Sequence, residues 1–313
     1  MKLRPLILIL TFCSVSLFAQ KQHDWIHFEW HGDSIFGKYY PKVAISIPLK
    51  IEQLPYNFCG QLDLGAIRTM IYENSFSHFA AQDPWVIQKL DTPSIPYVNG
   101  QKCYFLKGLL LQLDQHSFGK RNIVFVPQFG DEIPKDSINT TSQKLIGTIA
   151  PDLFQGKILV IDFPQKRLRL FDQLPKQYSN ATFTNALIRN GRVKFPITIR
   201  DSTVYVMFDT GNCLGDLLLD KEIIKKFTLP NEEAMEYLNG KSWGQSITIY
   251  SKKVVGNVMF NNRKLPVDKL LFTDQDRDVQ FDKEEKIIGL IGPVLFSNNI
   301  VIIDYRKNRF GIL

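Results

Sequence analysis

The chain has 313 residues, 44% hydrophobic and 22% charged, enough for one large or two ordinary domains with a sizeable core. Its net charge of +7 is spread along the sequence, without the Lys/Arg runs and interleaved aromatics of a nucleic-acid surface. Past the N-terminal residues no segment is long and apolar enough to cross a bilayer, and four cysteines are too few for a disulfide scaffold.

Residues 1–20 have a basic start at Lys2 and Arg4, an apolar centre and a small residue at Ala19, the layout of a cleaved secretory signal. Phe12 before Cys13 disfavours a lipid-anchored cysteine, so the expected product is exported, periplasmic or extracellular, without stable membrane insertion. Of the remaining cysteines, Cys59 and Cys103 are the first pairing to expect, and Cys213 reads as a small buried apolar residue. The stretch HDWIHFEWH spaces His23, His27 and His31 by four, which would suit a helical metal face but reads better as strand or tail.

From there the chain is a series of short β-branched and aromatic runs between turn residues. VAISIPL precedes a run ending in Asp63-Leu64-Gly65-Ala66. SFSHFAAQDP predicts a helical turn or two, and GLLLQL, NIVFVP and ILVIDF predict strands. The polar stretch 172–190 breaks the rhythm and reads as a connection. KFPITIR and YVMF lead to Asp209-Thr210-Gly211. Helical patterns are expected at 219–227 and near 231–238, then strands again at SITIY, NVMF and IVIID.

The two halves repeat one another. Residues 144–171 and 286–313 align without a gap at an offset of 142, with 11 identities in 28 positions. Gly147/Gly289, Pro151/Pro293, Asp162/Asp304 and Arg167/Arg309 all fall in register, which a shared β-pattern alone would not produce. Upstream, Asp63 faces Asp209 at an offset of 146, and Tyr97-Val-Asn-Gly more weakly faces Tyr237-Leu-Asn-Gly. The expected organisation is a signal over 1–20, a first lobe over 21–175, a connection over 176–190 and a second lobe over 191–313. The fold class is all-β.

Two aspartates brought together from equivalent turns cannot both ionise, and share a proton. One then serves as general base on a water while the protonated partner polarises a carbonyl. Glycine in each turn allows close backbone approach and dihedrals that other residues resist. Asp162 and Asp304 are also paired by the repeat, but their strand contexts indicate structural roles.

On these residues the chain resembles the pepsin and retropepsin superfamily of aspartic proteases, in a two-lobed single-chain form of bacterial type. Asp209-Thr210-Gly211 matches the family motif, and Asp63-Leu64-Gly65-Ala66 matches the retroviral version at three of four positions. Leu145-Ile146-Gly147 and Ile287-Ile288-Gly289 match the apolar-apolar-Gly element that braces each turn. The resemblance implies two pseudo-twofold-related β-barrel lobes around a cleft, with catalytic Asp63 and Asp209. Gly65, Thr210, Gly211, Gly147 and Gly289 would support them. It further implies a monomer that hydrolyses a peptide or protein substrate without metal or organic cofactor, under a flap hairpin within 94–108 carrying Tyr97 or Tyr104. The departure is Leu64, which lacks the hydroxyl that the family uses to brace the opposite turn. An alternative use of the same cleft is peptide or protein binding without catalysis.

Overall fold

The computed structural model describes residues 25–35, 37–91, 96–98, 100–213, 215–242, 245–273 and 287–313. The expected signal segment at 1–20, His23 and parts of the expected flap region (residues 94, 95 and 99) lie outside them. The protein is mostly β, and among the described residues no helix is long and apolar enough to cross a membrane.

The strand runs read from the sequence all form strands. VAISIPL lies in Lys38–Ile51, GLLLQL in Tyr104–Leu113, KFPITIR in Arg192–Ile199 and IVIID in Ile300–Asp304. HDWIHFEWH also enters strands, Ile26–His27 and Glu29–Ile35. SFSHFAAQDP lies largely in a helix, Glu73–Gln82, which buries Phe76 and Phe79. A single helical turn, Lys221–Ile224, is capped by the Asp220 carboxylate, which accepts from the Glu222 and Ile223 N–H groups.

Three expectations fail. The segment near 231–238 is not helical: Met235–Ser242 is a strand paired with Gln245–Lys253. Its Glu-rich start favours helix locally, but Leu238 is buried opposite Ile249, and ladder pairing outweighs propensity. The polar stretch 172–190 is more than a connection, because Thr182–Asn185 and Leu187–Arg189 join sheets at their margins, where polar faces can stay wet. Cys59 and Cys103 are both free thiols. Cys59 lies in a strand between Pro48 and Leu145, whereas Cys103 packs in a separate apolar cluster with Ala66 and Met70.

Strands of the first half form an eight-stranded sheet, and those of the second half a ten-stranded one. Around each Asp turn the connectivity is the same. An inbound strand (Phe58–Leu62 or Ser202–Phe208) leads into the aspartate. A brace strand (Lys144–Ile149 or Gly289–Ile291) runs parallel to it and antiparallel to the outbound strand (Met70–Tyr72 or Leu217–Leu219). The outbound strand then pairs in parallel with His116–Val126 or Lys269–Thr273.

A six-stranded sheet joins the halves through antiparallel Ile158–Asp162 and Ile300–Asp304. Val160 pairs with Ile302, its own equivalent in the repeat, and Ile158–Asp304 mirrors Asp162–Ile300. Asp162 and Asp304 play the structural part expected of them. Asp162 binds Arg167 at 3.1 Å and Asp304 binds Arg309 at 2.7 Å, each across a hairpin. Their other oxygens accept turn amides, from Gln165 at 3.1 Å and Lys307 at 3.0 Å. One buried apolar cluster runs through both halves.

Candidate active site

Each inbound strand delivers its aspartate to the end of its brace strand. The Asp63 N–H donates to Ile149 C=O at 2.9 Å, and the Asp209 N–H donates to Ile291 C=O at 3.0 Å. Each carboxylate then folds back on its own turn. Asp63 Oδ1 accepts from Gly65 and Ala66 N–H at 2.9 Å, and Asp209 Oδ1 accepts from Gly211 N–H at 2.8 Å.

The two carboxyls meet in hydrogen-bonding contact. The glycines explain how. A Cβ on Gly65 would lie 2.5 Å from the Asp209 carboxyl carbon, and one on Gly211 would lie 2.9 Å from that of Asp63. Each glycine vacates the space its opposite carboxyl occupies. Neither has a positive φ, so the expected dihedral requirement does not hold and the close approach alone excludes a side chain. The brace glycines work similarly: a Cβ on Gly147 would meet Met70 C=O at 1.9 Å, and one on Gly289 would meet Leu219 Cδ2 at 2.5 Å.

Burial of the carboxyl, then the Asp209 charge beside it, raises the Asp63 pKa above the ordinary carboxylate range. Asp63 is thereby held toward its protonated form beside Asp209. Burial and the same two charges push the Cys213 thiol up, leaving it protonated; half-buried rather than buried, it donates to Thr210 C=O at 3.3 Å.

Thr210 ties the turns together. Its hydroxyl accepts from Leu64 N–H at 2.9 Å and donates to Leu62 C=O at 2.8 Å, with the residue wholly buried. Leu64 has no hydroxyl to mirror this and instead buries its side chain in the main core.

Tyr97 and Tyr104 separate. Tyr97 is exposed on a small hairpin, Tyr97–Val98 with Gln101–Lys102, while Tyr104 is half-buried against the main core. Val98 packs on the cluster of Ala66, Met70 and Cys103, so this hairpin stands beside the Asp63 turn. The second half has a hairpin at the matching place, where Leu238 packs on Met207 and Leu218.

Several residues near the dyad escaped the sequence reading. Tyr72 hydrogen-bonds Thr148 through their hydroxyls, and its ring meets Phe129 edge-on at 4.8 Å. Burial, with the nearby Asp63 charge, pushes its phenol up to about 12. Thr69 Oγ1 donates to Asp152 at 2.7 Å and accepts from Ala150 N–H at 3.1 Å, fastening the outbound strand to the end of the brace. The usable signal was position: apart from Phe129, all lie within ten residues of Asp63 or just past Gly147. Two open surface depressions, around Tyr56 and around Trp85, share no residue with either Asp turn. No protein-family model and no curated protein matches this chain.

Proposed function

We propose that this protein is a single-chain aspartic endopeptidase of the pepsin and retropepsin type, with two pseudo-twofold-related lobes and the Asp63/Asp209 pair as its catalytic dyad. One observation carries the reading: two carboxyls from equivalent positions of a duplicated chain touch, each packed against the glycine of the other's turn. A structural aspartate pair would more economically be replaced by neutral residues, since two acids held this close destabilise the fold whenever both ionise.

The chemistry follows from the shared proton. The ionised carboxylate takes a proton from a water, whose oxygen attacks the peptide carbonyl carbon. The protonated partner donates to the carbonyl oxygen as it gains negative charge. Collapse of the tetrahedral intermediate breaks the C–N bond, with a dyad proton delivered to the departing amine. Thr210 holds the turns in register, and the backbone amides at Gly65, Ala66 and Gly211 fix which carboxyl oxygens face each other. The two hairpins border the dyad where an extended peptide would lie and offer strand-like pairing. Both carboxyls come from one chain, so a monomer suffices. The proposed setting is exported, periplasmic or extracellular.

The test is incubation of purified protein with a mixed peptide library from acidic to neutral pH, beside Asp63→Asn and Asp209→Asn. Cleavage by the native protein alone, blocked by a statine-type transition-state analogue, is the expected result. Peptide binding without cleavage would replace it with the binding reading.

A further inference from the structure

The two halves carry opposite charges at one equivalent position on the segment that leaves each Asp turn. Strand register makes Met70 the counterpart of Leu218. Each pairs antiparallel with the residue after the brace glycine, Thr148 or Leu290, and parallel with Val124 or Leu271. Two residues earlier stand Arg68 and Asp216.

Arg68 lies against the first of two matching apolar clusters, and the charge of Asp216 acts on the second. The Arg68 guanidinium carbon lies 5.7 Å from the ring centre of Phe105, a half-buried member of the cluster around Ala66, Met70 and Val98. Ala66 itself donates to the Asp63 carboxylate, so this cluster begins at the dyad. The charge of Asp216 reaches the Tyr237 phenol, which packs on the cluster around Met207, Leu218 and Leu238. Their settings differ. Arg68 is exposed, and the Asp152 carboxylate within its electrostatic reach is half-turned to Thr69, whose amide and hydroxyl both donate to Asp152 Oδ1. Asp216 is half-buried and accepts from the Lys269 and Asp268 backbone amides, with the Lys269 charge and the opposing Asp268 charge both close by.

We propose that the cleft is charge-polarised, with Arg68 selecting an acidic side chain on the substrate residue that lies over the first half and Asp216 excluding one from the second. This rests on the protease reading. A dyad built from two equivalent turns does not itself distinguish the two directions in which a peptide can lie. Opposite charges on either side of it do. Arg68 dominates because its guanidinium is exposed at the rim of an apolar surface, whereas Asp216 already has a cation beside it.

The experiment is cleavage-site profiling of a peptide library by the native protein, Arg68→Gln, Arg68→Glu and Asp63→Asn. The native protein should enrich Glu and Asp over Lys and Arg at one fixed position on one side of the scissile bond. The enrichment should be about fivefold, the size of a partly screened ion pair. Arg68→Gln should flatten this preference and Arg68→Glu invert it, with selection on the other side of the bond unmoved. Should Arg68→Glu fail to fold, Arg68→Gln decides. Cleavage by the native protein with no acidic preference, or with a preference that Arg68→Gln leaves in place, overturns the polarised cleft and spares the protease reading. No cleavage by the native protein, or equal cleavage by Asp63→Asn, overturns the dyad and this inference with it.

Discussion

The Asp63 and Asp209 turns hold their carboxyls in similar frames of backbone hydrogen bonds, each N–H on its brace strand and each Oδ1 on a turn glycine, yet they are buttressed differently. The second turn supplies Thr210, whose hydroxyl makes two buried bonds to the first. The first supplies Leu64, which makes apolar contacts instead. Past the turns, the first half links Tyr72 to Thr148 through hydroxyls, whereas the second has Asp220 and Leu290 at the corresponding places. The second half's cluster also receives Ile35 and Tyr40 from the long hairpin of the first half, whereas among the described residues the first half's cluster takes none from the second. What the halves share is what two touching carboxyls need. They differ in packing, where many side chains satisfy the same volume.

The largest effect should come from breaking the shared part. Asp63→Asn or Asp209→Asn should each lower peptide cleavage by about 10³-fold, read as kcat/KM on one peptide. The same variants give a stability readout of opposite sign. Asp63 has its folded pKa raised above its ordinary value of 3.8, so its contribution to stability is fully present below that value and lost as pH rises through the folded pKa. Thermal melts of the native protein should therefore fall as pH climbs through this window. Asp63→Asn should flatten that slope and melt higher at neutral pH. A native melting curve indifferent to pH there would remove the strained pair.

Next in size is the asymmetric brace. Thr210→Val keeps the shape but strands the buried Leu64 N–H and Leu62 C=O, and should cost about 3 kcal/mol by denaturant titration. Leu64→Thr tests the opposite side. It exchanges apolar burial for a hydroxyl in an apolar slot, and a loss of about 2 kcal/mol is expected. A gain in both melting temperature and cleavage rate would show instead that the second turn still lacks a partner that threonine restores.

Smallest is the polar link of the first half between Tyr72 and Thr148. Tyr72→Phe should cost about 1 kcal/mol through the Thr148 hydroxyl left behind. It should also shift the pH–rate profile slightly, because the phenol lies within reach of the Asp63 charge. An unchanged profile would confine Tyr72 to packing.

The sequence by itself determined most of the elements and the duplication. Period-two apolar runs, turn residues and gap-free identities are local properties, carried by each segment wherever it goes, and they sufficed to mark Asp63 and Asp209 as equivalent. The tertiary structure alone decided what depends on partners far away in the chain. It made a strand of Met235–Ser242 through Ile249 and drew Thr182–Asn185 out of a polar stretch to the margin of the joining sheet. Cys59 and Cys103 were left in separate surroundings, Leu64 went to the core, and Arg68 and Asp216 came to matching places that the sequence offsets obscure. The span from Asp209 to Leu218 is two residues longer than that from Asp63 to Met70, so only hydrogen-bond register aligns them. Burial and pairing are sums over contacts between distant residues, and local pattern does not contain them.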